Sequence, residues 1–299
     1  MAELTRAATN GAMRGHLAML AFSGLVAGSF SLGAQVAGEI APEAITGIRF
    51  LLAAAILGAW AAASGGLSRA AFAAPWRYAI LGGLFAIYFV TMFEGLKTAA
   101  PVAAAAVFTL TPVMSAAFGW LLLRQATTPR MALALAVGGA GALWVIFDAD
   151  PAALAAFRIG QGEAIYFVGC VAHALYTPLV PRLNRGEPPV VFSFGMLLGA
   201  CAVVALWGAG EIAATDWAGL RPLVLVTIVY ITLAASVATF VLLQYASLRL
   251  PAAKVMAYTY LTPSWVILWE AGIGGALPPA AVLAGVAATI LALLLLLKA

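Results

Sequence analysis

Polar side chains able to do chemistry are scarce in this chain, and most of them sit inside long apolar runs. His173 lies three residues before Tyr176, so on a helix the two share a face. Such a histidine is either satisfied by a neighbouring helix or offered to a ligand. In the second case it can donate to a carboxylate, and histidine is the side chain that ordinarily titrates near neutral pH. Tyr88 and Thr91 repeat the spacing. Tyr258 and Trp265, seven residues apart with Thr262 and Pro263 between them, form another face. Aromatic walls carrying a few placed polar groups suit flat or hydrophobic small molecules. Tyr88, Thr91, His173, Tyr176, Tyr258 and Trp265 are therefore the candidate ligand contacts. Glu94 and Lys97, at i and i+3, are expected to pair, or to serve as an outer-mouth pair for the two charges of a zwitterion.

Other chemistries find little support. His16 and His173 have no zinc-type spacing, and neither Gly-x-Ser-x-Gly nor His-Glu-x-x-His occurs, so no metal, cofactor or enzymatic centre is expected. Cys170 and Cys201 lie in apolar runs and read as helix-packing residues. Lys97 and Lys254 fall at segment ends, not where a retinal-type Schiff base would need them. A filter-like sequence or charged ring of a channel is missing too.

The elements that must position these residues follow from composition. The chain has 299 residues, 65% hydrophobic and 9% charged, with a mean hydropathy of +1.06. A soluble domain carries about 25% charged residues, so the bilayer must be the solvent. The basic residues are dispersed, which argues against nucleic acid as a partner. Ten apolar segments of spanning length are expected: 16–37, 42–63, 77–96, 101–123, 130–147, 162–180, 190–209, 222–245, 252–271 and 278–297. The residues before the first, 1–14, read as a cytoplasmic tail and not a cleaved signal. With that tail inside, eleven of the fifteen Lys and Arg fall on the cytoplasmic side and three outside. Both termini are then cytoplasmic. Trp60, Trp76, Trp120, Trp144, Trp207, Trp217 and Trp269 fit interfacial belts, whereas Trp265 lies at depth. Arg49, near the outer end of the second segment, is expected to snorkel to the headgroups or to organise the bundle.

The order of features repeats. Leu110-Thr111-Pro112 and Leu261-Thr262-Pro263 stand 151 residues apart in the fourth and ninth segments. Trp60 and Trp207 end the second segment of each half, and Glu43 and Glu187 lie in corresponding links. Five spans per repeat invert the second half, giving two five-helix domains, 1–150 and 151–299, with a site expected at their interface. Pro112 and Pro263 are the candidate kink and gating positions. Gly24-x-x-x-Gly28 and Gly195-x-x-x-Gly199 read as close-packing helix faces.

With Gly47-Ile48-Arg49-Phe50-Leu51, the turn Gly95-Leu96-Lys97-Thr98-Ala99 and the proline-centred fourth and ninth segments, the chain resembles the drug/metabolite transporter superfamily, in particular its EamA-type ten-helix members. The second half has no counterpart of Arg49, since Val191-Phe192-Ser193-Phe194 occupies that place. The resemblance implies an all-α inner-membrane metabolite exporter with a central cavity formed by segments 1, 3, 4, 6, 8 and 9. Within the superfamily the chain is most similar to the bacterial exporters of aromatic amino acids. Together with the inverted repeat, this leads us to expect a monomer working by alternating access on a small-molecule substrate within a lipid bilayer. Export of other amino acids or cationic drugs, or channel-like facilitation, are the alternatives. No carboxylate lies at mid-membrane, so facilitated diffusion or weak coupling is expected.

Overall fold

In the computed structural model, which describes the backbone of residues 2–298 and the side chains of 11–298, the described residues form helices and turns with no strand. The helices are α1 (Ala2–Val36), α2 (Pro42–Ala63), α3 (Trp76–Gly95), α4 (Pro101–Phe108), α5 (Thr111–Leu123), α6 (Pro129–Ile146), α7 (Pro151–Ala155), α8 (Gln161–Leu183), α9 (Pro189–Trp207), α10 (Ala209–Ala214), α11 (Pro222–Thr232), α12 (Thr239–Ser247), α13 (Ala252–Met256), α14 (Thr262–Ile273) and α15 (Val282–Leu297). Among the described residues, eight continuous stretches are long and apolar enough to cross a membrane, counting α4 with α5 and α11 with α12 as one each; α15 is a shorter apolar helix. Prolines open most of them: Pro42, Pro101, Pro129, Pro189 and Pro222 occupy the first turn, where a missing N–H costs nothing.

Among the described residues, three apolar segments are interrupted. Proline cannot donate to the carbonyl four residues back and clashes with it. Pro112 thus frees the Phe108 carbonyl, and α4 ends there; Thr111 Oγ1 donates to that carbonyl at 2.6 Å. Pro263 acts on Thr259, and a 3₁₀ turn, Ala257–Leu261, separates α13 from α14. The two breaks meet, with the hydroxyls of Thr111 and Thr259 3.3 Å apart. The third interruption is a π-helical turn, Leu233–Ala238, joining α11 to α12. Ser236 Oγ donates there to the Ile231 carbonyl at 2.7 Å. α8, by contrast, runs through Pro178 and Pro181, because Ser115 Oγ of α5 donates at 3.1 Å to the Ala174 carbonyl that Pro178 frees.

The structure corrects several expectations. Arg49 does not snorkel. It is fully buried and donates to Ser236 Oγ (3.0 and 2.8 Å), Ala235 O (2.7 Å) and Ile231 O (3.3 Å), with its guanidinium 3.9 Å above the Phe89 ring. The π turn leaves these carbonyls short of partners, and the arginine caps them. The ninth segment is three pieces and not one helix, and the tenth begins at Val282 because Pro278-Pro279 cannot continue a helix backwards. The backbone of residues 2–14 is the first part of helix α1; the side chains of residues 2–10, Arg6 among them, lie outside the described residues.

Glycines set the closest helix approaches. A Cβ on Gly199 would lie 2.3 Å from Tyr78 O, and one on Gly195 2.6 Å from the Tyr78 ring, so α9 packs on α3 through that face as its spacing suggests. Gly28 of α1 similarly admits Tyr230, whose hydroxyl donates to Leu25 O at 2.8 Å. Around the centre α3 packs on α8 and α1 on α12, while α2 with α9 and α6 with α15 flank them.

Candidate substrate site

His173 sits in the middle of the α3–α8 contact, boxed by rings. Its ring centroid is 4.5 Å from Tyr88, 5.3 Å from Phe85, 5.3 Å from Phe108 and 6.2 Å, stacked, from Tyr176. Phe85 meets Tyr176 edge-on at 4.1 Å and Phe240 of α12 at 4.8 Å. The helical spacing of Tyr88 with Phe85, and of His173 with Tyr176, puts all four on facing stripes.

Polar groups stitch this apolar box at two points. Tyr166 Oη donates to Tyr88 Oη at 2.9 Å, and Gln244 Nε2 of α12 donates to Tyr176 Oη at 2.6 Å. Both ring nitrogens of His173 and the Gln244 Oε1 have no hydrogen-bond partner among the described residues. Buried polar atoms are ordinarily paired, and leaving one unpaired costs about 1–3 kcal/mol. Three such atoms are held in one box whose members Tyr88, His173, Tyr176 and Gln244 are all buried. That arrangement offers donors and acceptors without a carboxylate or metal cluster among them.

The six expected contacts are therefore divided. Tyr88, His173 and Tyr176 come together. Thr91 stands beside them, where α3 approaches Gly169 of α8, but its hydroxyl donates to Ile87 O of its own helix at 2.7 Å. Tyr258 and Trp265 turn instead to α1: the Tyr258 hydroxyl lies 3.2 Å from His16 Nδ1, and Trp265 Nε1 donates to Ser23 Oγ at 3.2 Å. No ring contact or hydrogen bond joins this pair to the His173 box among the described residues. Pro112 and Pro263 lie at the two breaks. Glu94 and Lys97 form an ion pair of 2.6 Å at the end of α3, partly exposed. Sequence reasoning missed Gln244, Phe85 and Tyr166. Gln244 had a signal, as a lone amide in an apolar run.

Apolar spans and helices broken at paired prolines, with an unsatisfied polar box among the described residues, define a multi-pass membrane protein. The comparisons name the class more narrowly. The EamA-like transporter family matches twice, over residues 13–147 and 160–298, and the chain belongs to this family of the drug/metabolite transporter superfamily. It is 27% identical over 195 residues to the "Uncharacterized transporter YyaM" of Bacillus subtilis (strain 168), covering 64% of each chain. The chain thus spans less than two thirds of that relative. A solved crystal structure shares the fold, with a TM-score of 0.73 and 20% identity over 96% of this chain and 97% of that one.

Proposed function

We propose that the chain exports small apolar or aromatic metabolites, aromatic amino acids foremost, across a bacterial inner membrane. It does so as a monomer by alternating access between two inverted five-helix halves, residues 1–150 and 151–299. Read with the broken segment 252–273 and α15 as further crossings, the eight spanning stretches give an even count that puts both termini on one face, and the bias of Lys and Arg favours the cytoplasmic face. Exchange of partners supports the inverted halves, for α3 packs on α8 as α12 packs on α1. The two family matches and the paired breaks at Thr111-Pro112 and Thr262-Pro263 fall at equivalent places in those halves.

The observation that carries the substrate reading is the His173 box: rings on every side, with His173 and Gln244 atoms awaiting partners. An indole or phenyl ring stacks there while its polar group takes the unused nitrogens. Tyr258 and Trp265, on α1's side, contact the substrate only after the bundle rocks about the breaks. Glu94 and Lys97 meet the zwitterion at the outer mouth.

Uptake by purified protein in liposomes tests this reading, with tryptophan, phenylalanine, threonine, methionine and a cationic drug compared. Saturable, mutually competing uptake of the aromatic amino acids is expected. Threonine or the drug in their place discards the substrate and keeps the fold. Uptake that never saturates favours a channel.

A further inference from the structure

Two arginine–glutamate pairs stand at opposite ends of the bundle. Arg77, the second residue of α3, meets Glu187 in the link between α8 and α9 at 2.8 Å. Arg221, just before α11, grips Glu39 in the link between α1 and α2 with two prongs. In each the arginine opens the third long helix of one half, and the glutamate lies between the first and second of the other. The pairs are one device used twice, once at each end.

Their surroundings differ. Arg77 and Glu187 are buried, and the guanidinium also donates to Leu183 O (2.6 Å), Ala71 O (3.1 Å) and Ala74 O (3.3 Å). Glu187 further accepts the Arg185 N–H at 2.6 Å. The Arg221–Glu39 pair is largely exposed and has no carbonyl partner among the described residues. Each pair also borders a polar cavity that holds a second partner of the required charge. Glu211 and Asp216 line the cavity of about 330 Å³ beside Arg221, and Arg185 lines that of about 370 Å³ beside Glu187.

We propose that Arg77–Glu187 and Arg221–Glu39 are the two gates of the transport cycle, both shut in this structure and opened one at a time. Each pair ties a helix of one half to a link of the other, so rocking the halves apart at either end must break the pair there. When it breaks, the freed charge passes to the neighbour in its cavity: Arg221 to Glu211 or Asp216, and Glu187 to the Arg185 side chain. The buried pair, held by carbonyls as well, is the tighter latch, so the Arg221–Glu39 end opens more readily. The inference rests on the transporter class and not on the substrate.

Side-specific thiol labelling tests it without any transported molecule. In a Cys170→Ala, Cys201→Ala background, reporters are placed singly at Thr177→Cys, between His173 and the Arg77 end, and at Ser31→Cys, toward the Glu39 end. A membrane-impermeant maleimide is applied to ligand-free proteoliposomes. Glu187→Gln is expected to raise labelling at Thr177→Cys about tenfold and leave Ser31→Cys unchanged. Arg77→Lys, a milder change that keeps the charge and loses the fork, gives the same pattern at smaller size. Glu39→Gln raises labelling at Ser31→Cys alone. Unchanged labelling in all three variants overturns the gates. So does an equal rise at both reporters, which marks loosening rather than opening. Failure of aromatic amino-acid uptake leaves this result untouched.

Discussion

Gly82 and Gly83 are neighbours on α3, yet alanine at the two is expected to act in opposite directions. A Cβ on Gly82 would sit 2.2 Å from Ala200 N, 2.6 Å from Gly199 C and 2.7 Å from Met196 O, all backbone atoms of α9. On Gly83 its nearest neighbour would be Val203 Cγ2 at 3.8 Å, an ordinary contact. Overpacking costs about 1–3 kcal/mol, and backbone cannot swing aside as a side-chain tip can, so Gly82→Ala falls at the upper end. Alanine also returns about 0.5–1 kcal/mol of helix propensity at either site. The net expectation is a loss of about 2 kcal/mol for Gly82→Ala and a gain below about 1 kcal/mol for Gly83→Ala. Reversible unfolding in mixed micelles titrated with a denaturing detergent measures both. Gly82→Ala as stable as Gly83→Ala would refute the backbone-contact reasoning for the α3–α9 crossing.

Ser115→Ala leaves the Ala174 carbonyl beside Pro178 without a donor and is expected to cost about 1–3 kcal/mol in the same assay. Adding Pro178→Ala, which restores the helical N–H, should recover most of that loss. Pro112→Ala and Pro263→Ala are expected to retain the fold and slow transport in liposomes; rates unchanged in both contradict hinging at the breaks. Burial alone pushes the Glu187 carboxyl up, but hydrogen bonds from Arg77 and the Arg185 N–H outweigh it and hold the group below its ordinary value. With the folded pKa lowered, its stabilisation is fully present above the ordinary carboxylate pKa of about 4.3 and is lost as pH falls below that value and through the lowered folded pKa. Acid titration of the unfolding midpoint should therefore be flatter in Glu187→Gln than in the parent.

Hydropathy and proline placement made most of the elements legible, because in lipid the backbone must close its own hydrogen bonds and prolines mark where it stops doing so. Leu-Thr-Pro located both breaks. It did not reveal that α13 and α14 would be joined by a 3₁₀ turn, since that depends on where the freed carbonyl finds a donor. Of the two readings of Arg49, snorkelling or organising the bundle, the sequence could not choose the second for a similar reason. The arginine's partners are carbonyls exposed by a π turn in α11–α12, and π turns leave no mark in residue types. Helical spacing found the Tyr88 and His173–Tyr176 faces. The same spacing grouped Tyr258 with Trp265, but which helix that face meets is a tertiary fact, and it meets α1. Repeat matching chose Glu43 as the counterpart of Glu187; the acid that grips the arginine is Glu39, four residues earlier and in the link proper. Gln244 was legible by the rule that selected His173.

Tryptophan counterflow in liposomes, measured for the parent, His173→Leu and Trp120→Leu, decides whether the aromatic box is the substrate site. Trp120 is half exposed on the bundle surface and serves as the control. Saturable exchange, inhibited by phenylalanine, is expected in the parent and in Trp120→Leu. In His173→Leu the protein should remain folded, since leucine relieves two unpartnered nitrogens, and exchange should fall by at least about tenfold. Full exchange in folded His173→Leu would contradict the aromatic box as the substrate site.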